Sequence, residues 1–214
     1  MPGSVSVTTG KKHKQNLREA CIREASAIVE ESGVEKLSIR EVARRLGVSH
    51  QAPYKHIQSR DHILAEMVSR AYRSFSEYLK KRPRTGDPDA DLGAMRQAYI
   101  EYADKHPLQY RLMFSTPLPD PHQHPDMMRH AQDAFALLQS GIAELHAARG
   151  GPGPHRRTDF DALFIWFTLH GLCGVMHSRV VDTLNLPTEV MDGMSSEMFE
   201  RIGWVLERET KNTS

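Results

Sequence analysis

The stretch Ser38–Ile57, SIREVARRLGVSHQAPYKHI, decides the fold of the amino-terminal part of the chain. Val42 and Leu46 are spaced to face a core on one side of a short helix. Gly47 lets the backbone turn, and Ser49 can cap a second short helix. Two short helices joined by such a turn form a helix-turn-helix.

The residues around this stretch complete a small helical unit. Helix-spaced apolar residues occupy one face of the segment 17–29, and Gly33 ends that segment as a left-handed cap residue. Ser38 and Glu41 are spaced as a capping box at the start of the next helix. Ser59 can cap a longer helix that follows. The spacing therefore predicts three short helices and a long fourth one.

The second helix of the pair begins where helix-turn-helix proteins meet base edges. Gln51 can pair bidentately with adenine, while His50 and Ser49 can donate to guanine or thymine acceptors. Other polar residues nearby are placed to contact phosphates, which position a protein without reading sequence. A helical corner with a solvated polar face is the alternative. The predicted DNA contacts are Ser38, Arg40, Ser49, His50, Gln51, Tyr54, Lys55, His56 and Arg60.

Charge is unevenly distributed along the chain. The net charge is +1 overall, with 28 Lys and Arg against 27 Asp and Glu. Residues 1–61 carry 11 basic and 7 acidic side chains, whereas the remainder carries 17 and 20. A basic amino-terminal part favours an anionic partner for that part alone. Ordinary fluctuation in composition would give the same imbalance.

Composition indicates a globular protein of the cytoplasm. The 214 residues are 39% apolar, which suffices for a buried core. Cys21 and Cys173 lie far apart and outside any paired motif, as in proteins of a reducing compartment. The start of the chain lacks the apolar segment of a signal peptide, and the longest apolar run is interrupted by His170 and glycines. We expect a cytoplasmic protein with no membrane partner.

The rest of the chain also predicts helices. Period-2 alternation is absent, and helix-spaced apolar residues recur between breaks rich in proline and glycine. The sequence predicts an all-α fold of about nine helices, with later helices at 88–105, 107–115, 124–148, 157–182 and 187–209. The predicted domains are a disordered basic arm at 1–13, a helix-turn-helix domain at 14–60, and a helical effector-binding and dimerisation domain at 61–214.

The segment LSIREVARRLGVSHQAPYKHIQSRDHIL resembles the DNA-binding domain of the TetR (tetracycline-repressor-like) family, over about residues 14–65. This resemblance implies a DNA-binding transcriptional regulator. The chain departs from the family pattern where Pro53 replaces leucine, Ile57 replaces an aromatic residue and Arg60 replaces lysine. Because proline withholds a helical donor, the second helix is expected to begin later or to have a distorted first turn.

The carboxy-terminal part is similar to one class of TetR domains, named for a Trp, His-Gly signature. The segments HPLQYRLMFS and WFTLHGLCGV carry the likeness, with Trp166, His170 and Gly171 at the signature positions. The resemblance implies a domain that binds a small molecule and dimerises through its last two helices. The helix around ALFIWFTLHGLCGVM is apolar nearly all round, which fits burial in a core or an interface.

Two sets of residues are candidates for these roles. Ligand sites are mostly apolar, so the pocket candidates are Phe75, Tyr99, Tyr102, Tyr110, Met113, Phe114, Phe135, Trp166, Phe167 and His170, although aromatic residues at helical spacing are more often plain core. The expected dimer interface comprises Val175, Val180, Met194, Met198, Ile202 and Val205.

We therefore expect a homodimeric, ligand-responsive regulator that binds double-stranded operator DNA. We expect it to act as a repressor that is released from its operator by a small apolar or amphipathic effector. The alternative is a metal- or thiol-dependent sensor or enzyme that uses His170, Cys173 and His177, which share one helical face. The sequence has no Gly-rich phosphate loop, carboxylate pair at catalytic spacing or nucleophile elbow. We expect no enzyme activity, no cofactor and no bound metal.

Overall fold

The computed structural model describes residues 7–150, 156–178 and 180–211, with side chains at 17–150, 157–178 and 180–207. Within these ranges the chain is all helical, and short 3-10 helices lie at Val34–Lys36, Pro53–Lys55 and Val180–Thr183. The α-helices of the same ranges are α1 (Val7–Ser32), α2 (Ile39–Arg45), α3 (Arg60–Lys80), α4 (Pro88–Lys105), α5 (Pro107–Phe114), α6 (Pro125–Ala148), α7 (Arg156–His177) and α8 (Thr188–Lys211).

The all-α prediction is confirmed, and most helix boundaries after residue 60 agree closely with those predicted. The helix predicted at 157–182 is an exception, because α7 ends at His177 and a 3-10 helix follows at Val180–Thr183. The described residues form eight α-helices rather than about nine, because one predicted short helix is a 3-10 helix. Helix α1 begins at Val7, inside the segment 1–13 that was predicted to be a disordered arm. Each residue added to an existing helix fixes few new torsions for one new hydrogen bond, so α1 extends toward the amino terminus. Residues 1–6 of the predicted arm lie outside the described residues.

The chain divides into two compact units. Unit 1 comprises the chain up to Arg73 together with Leu108–Ala131, and unit 2 comprises Ser74–Pro107 and the chain from Gln132. Helix α3 therefore contributes its first part to unit 1 and its last part to unit 2. The border between the units falls within α3, between Arg73 and Ser74, and nearly all of α5 belongs to unit 1. The predicted domain bounds at 14–60 and 61–214 stay a prediction.

Unit 1 has its core among α1, α2 and the first part of α3. The side chains of Ile28, Leu37 and Ile63 are almost fully buried there. Tyr72 of α3 donates its hydroxyl to the backbone carbonyl of Met113 at 3.2 Å, which fixes α5 against α3. This core holds the helix-turn-helix in place.

Ion pairs tie α1 to α3 on the surface of unit 1. Arg70 donates to both carboxylate oxygens of Glu19, at 2.6 and 2.7 Å, and to Glu66 at 2.8 Å. Arg18 lies 2.8 Å from the other Glu66 oxygen. The hydrogen bonds from Arg70 hold the pKa of Glu19 below its usual value. Because these groups are partly exposed, the network fixes geometry more than it adds stability.

Unit 2 packs around Tyr102, whose side chain is fully buried. Its ring centroid lies 5.1 Å from that of Phe75 and 5.5 Å from that of Tyr78. Gly141 allows α6 to approach α4, since a Cβ at this position would lie 3.3 Å from the Met95 Cε. Helix α7 contacts both α4 and α8.

Candidate functional site

Helix α2 and the turn that ends it form the first part of the candidate DNA-binding surface. Ser38 caps α2 by accepting a hydrogen bond from the Glu41 N–H at 3.1 Å, as predicted. Gly47 has a φ of +65°. Its N–H and that of Val48 donate to two carbonyls of the last turn of α2, at 3.2 and 3.1 Å. This bonding pattern is a Schellman motif, which requires a residue that tolerates positive φ.

The recognition segment, defined as residues 49–57, is a turn followed by a 3-10 helix. The Ala52 N–H donates to the Ser49 carbonyl at 2.9 Å, and the 3-10 helix spans Pro53–Lys55. Because Pro53 has no N–H, the α-helical bond from this residue to Ser49 cannot form. The expected α-helix is therefore replaced by the distorted alternative that the proline indicated.

The outer side of this surface is polar and exposed. Pro53 and Ile57 are buried and anchor the recognition segment in the core of unit 1. His56 and Arg60 are partly buried. The predicted DNA contacts with exposed side chains are Ser38, Arg40, Ser49, His50, Gln51, Tyr54 and Lys55.

Arg60 has a structural role that the sequence did not predict. Its Nη2 donates to the Val34 carbonyl at 2.9 Å, and its Nε donates to the Leu37 carbonyl at 3.1 Å. Its Nη1 lies 3.5 Å from Asp61. These bonds connect the start of α3 to the segment between α1 and α2.

Arg45 was also missed by sequence reasoning. It donates to Glu41 at 3.0 Å and lies 2.8 Å from a carboxylate oxygen of Glu31. The hydrogen bonds from Arg44 and Arg45 lower the pKa of Glu41 to about 2. The Glu41 carboxylate therefore accepts hydrogen bonds from both arginines of the last turn of α2. The four-residue spacing from Glu41 to Arg45 was the available signal for this pair.

Several known proteins resemble the chain in sequence or in fold. A family model described as tetracyclin repressor-like, C-terminal domain, matches residues 92–194. The HTH-type transcriptional regulator Rv1816 of Mycobacterium tuberculosis is 28% identical over 195 residues, which covers 84% of this chain and 82% of that protein. The putative regulatory protein SCO4313 superposes with a TM-score of 0.70 at 23% identity and covers 92% of this chain and 97% of that one. The TetR family regulator PfmR from Thermus thermophilus superposes with a TM-score of 0.58 at 18% identity, over 84% and 97%.

The chain is similar to TetR-family transcriptional regulators in its matched carboxy-terminal residues and in its fold. Members of this family bind operator DNA, dimerise and respond to small molecules. The family model overlies the Trp166, His170 and Gly171 signature. The helix-turn-helix lies before the matched residues 92–194 in the chain.

The residues predicted to line a ligand pocket are divided between the two units. Met113 is buried in unit 1, where the Tyr110 and Phe114 rings pack 5.0 Å apart. The candidates of unit 2 are Phe75, Tyr99, Tyr102, Phe135, Trp166, Phe167 and His170. Phe75 packs against Tyr99 and Tyr102 with ring centroids 5.3 and 5.1 Å apart, so these three rings fill a core.

A second group of pocket candidates lies along α6 and α7. The Phe135 and Trp166 ring centroids are 5.7 Å apart. Burial lowers the pKa of His170. Phe167, however, is 61% exposed. Its assignment to a pocket lining stays a prediction.

An exposed apolar stripe follows α7. We define the α7 stripe as Phe160, Phe164, Phe167, Gly171 and Val175, all of which are exposed at spacings of three and four residues. Such spacing places the five residues on one face of the helix. Contiguous exposed apolar surface of this kind is typical of an interaction site.

The residues predicted for the dimer interface differ in exposure. Val175 and Val180 are exposed, and Met194, Met198 and Val205 are partly exposed. Ile202 is only 1% exposed, and its assignment to a subunit interface stays a prediction. Its side chain is enclosed within unit 2 of its own chain. Trp204 of α8, which sequence reasoning missed, is 53% exposed.

Helix α7 also resembles a membrane-spanning helix in its length and composition. The segment Arg157–His177 is long enough and apolar enough to cross a membrane by length and composition, although His170 interrupts its sequence. About a third of the apolar window, 33%, is buried inside the protein.

The three residues of the alternative sensor hypothesis have other contacts. Cys173 is buried, and its backbone carbonyl lies 2.7 Å from the His177 Nδ1. The His177 Nε2 lies 3.4 Å from Asp104. Within the part of the chain that the structure describes, no group of three or more His, Cys, Asp or Glu side chains is arranged to hold a metal ion.

A polar cleft of about 260 Å³ in unit 1 was not anticipated. His62 of α3 and His124 before α6 both line it, with ring centroids 6.4 Å apart. Burial lowers the pKa of His62, and the nearby charges of Arg18 and His124 add to this effect, while Glu66 opposes it. The cleft brings together residues far apart in sequence, which the histidine-rich loop alone could not reveal.

Proposed function

We propose that this protein is a homodimeric transcriptional repressor that binds operator DNA through residues 38–60. A small apolar or amphipathic effector, bound within residues 92–194, releases the DNA. The observation that carries this proposal is the α2, Schellman turn and recognition segment, with Gln51 and Lys55 exposed on its outer side. A regulator of chromosomal DNA acts in the cytoplasm.

DNA binding is tested by selection of binding sites from a random duplex library with the purified full chain. A single enriched sequence with two related half-sites is expected. Gln51→Ala should weaken binding to that sequence by about 1–3 kcal/mol while leaving binding to random DNA unchanged. Lys55→Ala is the matched comparison, because loss of a phosphate contact weakens binding to all sequences and flattens the salt dependence. Selection of no sequence by the wild type would overturn the proposal.

A dimer presents two recognition segments, one from each copy, to adjacent major grooves of the operator. In helix-turn-helix dimers these elements lie about 34–36 Å apart, one turn of DNA. The α7 stripe and the exposed Trp204 supply apolar surface for a second copy. Dimer mass is measured by size-exclusion chromatography with light scattering.

The effector is sought by thermal denaturation in the presence of small apolar and amphipathic compounds. A compound that binds only the native state raises the melting temperature by mass action. For a compound that releases DNA, coupling is reciprocal, so the selected operator weakens its binding by the same factor. Equal affinity of the compound with and without operator would show that binding is unconnected to DNA release.

A further inference from the structure

The backbone of the recognition segment is organised around Pro53. This residue withholds the donor that an α-helix would direct to Ser49, so the preceding turn closes instead by the bond from Ala52 at 2.9 Å. The Pro53 carbonyl then accepts from the N–H groups of both His56 and Ile57, each at 2.9 Å. Pro53 therefore marks the boundary between the turn and the 3-10 helix. Its carbonyl accepts the hydrogen bonds that close the 3-10 helix.

The buried side of the segment is fixed by the same residue. Pro53 and Ile57 are both buried, so the proline ring is an anchor in the core of unit 1. With the inner side anchored, the side chains before and after the proline are directed outward. His50, Gln51, Tyr54 and Lys55 are all exposed.

His50 and Tyr54 stack on this outer side. Their ring centroids lie 6.1 Å apart and their planes differ by 29°. Both side chains are exposed, with Tyr54 at 45%, so the edges of the two stacked rings are accessible. Aromatic pairs prefer offset-stacked arrangements, so this neighbour favours one orientation of the imidazole. A base-reading group gains specificity when it is held in place before binding.

We propose that Pro53 is a specificity-determining residue, which fixes the His50–Tyr54 stack as the part of the surface that meets base edges beside Gln51. The imidazole edge can donate to guanine N7 or O6, and the Gln51 amide can pair with adenine. The preferred half-site therefore contains adjacent purines on one strand. Tyr54 acts as a positioning residue for His50. This inference rests on the proposed DNA-binding function.

Site selection with Pro53→Ala tests the role of the proline. Alanine restores the helical donor and removes the anchoring ring, so the variant should bind random DNA like the wild type but select a different half-site. Preference for the wild-type site over random DNA should fall roughly tenfold, as for loss of one base contact. Circular dichroism confirms that the variant is folded. A folded Pro53→Ala that selected the wild-type site with the same preference would overturn the proposal.

Tyr54→Ala and Tyr54→Phe form a second, independent pair of variants. Phenylalanine keeps the stacked ring and loses only the hydroxyl, so it should retain the wild-type half-site, whereas alanine should lose preference at one base pair. Equal loss in both variants would show that Tyr54 contacts DNA through its hydroxyl and would remove the stack from the reading surface. No loss in either variant would also remove the stack from the reading surface. If the wild type selects no site, the proposed function itself fails, which is a distinct result. If Pro53→Ala is unfolded, the two Tyr54 variants alone test whether the His50–Tyr54 stack meets base edges.

Discussion

The Arg60 Nε donates to the backbone carbonyl of Leu37 at 3.1 Å, across the connection between α1 and α2. The same guanidinium reaches the Val34 carbonyl at 2.9 Å. The first residue of α3 therefore satisfies two carbonyls of the segment between α1 and α2. A positively charged residue beside a helix-turn-helix invites a phosphate-binding role, yet two of the donors of Arg60 serve the fold.

Arg60→Ala is accordingly expected to lower the free energy of unfolding by about 1 kcal/mol, because two hydrogen bonds from a partly exposed charged group are lost. The salt dependence of binding to random DNA should change little. The matched control is Arg40→Ala, in an exposed position near the start of α2, which should leave stability unchanged and reduce the salt slope by about one. Urea denaturation and fluorescence anisotropy measure the two quantities. The opposite pattern would return Arg60 to a phosphate-binding role.

Gly47→Ala should destabilise the protein by about 1 kcal/mol through backbone strain alone. The φ of Gly47 is +65°, and no heavy atom lies within 4 Å of a Cβ placed there. Gly93→Ala is the matched comparison inside α4, where the nearest atom would be in ordinary contact at 3.7 Å. That substitution should stabilise by about 0.5–1 kcal/mol, because alanine favours helix over glycine. Urea denaturation of both variants measures the difference, and equal effects would contradict strain at Gly47.

Features governed by local chemistry could be predicted from the sequence. Gly33 and Gly47 end helices with positive φ, and Ser38 caps α2, because backbone torsions and short-range hydrogen bonds decide these outcomes. The distortion caused by Pro53 was foreseen as one of two outcomes, since a missing donor does not say which alternative bond replaces it.

Features that depend on tertiary packing were not predictable. Phe167 and Ile202 both occupy apolar positions on helices, and the sequence placed them in a pocket and an interface respectively. The first is exposed and the second is enclosed by its own chain. Helical periodicity tells which residues share a face, but it does not tell which face a neighbouring helix covers.

The half-buried His62 predicts a pH dependence of stability. Its pKa is lowered below the ordinary value of 6.5 by burial, with Arg18 and His124 contributing. The unfolded chain therefore takes up a proton at a higher pH than the folded chain does. Stability from the neutral imidazole is full above about pH 6.5 and is lost as the pH falls through that value toward the lower folded pKa.

His62→Gln should consequently lose less stability than the wild type between about pH 7.5 and pH 5.5. Urea denaturation at a series of pH values gives the comparison. His122→Gln is a suitable control, because His122 is exposed and does not line the cleft. The control should follow the wild-type profile. A His62→Gln profile parallel to that of the wild type would assign the pH dependence to other groups.

Phe167 and Ile202 separate assembly from folding. Phe167→Asp places a charge in the middle of the α7 stripe, where a second copy would bury it without a partner, so the variant should be monomeric at micromolar concentration. Its secondary structure should be retained, because the wild-type side chain is 61% exposed within its own chain.

Ile202→Ala should instead create a cavity inside unit 2 and lower the free energy of unfolding by about 2–4 kcal/mol, while the folded fraction remains dimeric. Light scattering and urea denaturation of both variants distinguish these outcomes. A dimeric Phe167→Asp would move the interface away from the α7 stripe, and a monomeric wild type would remove the dimer altogether.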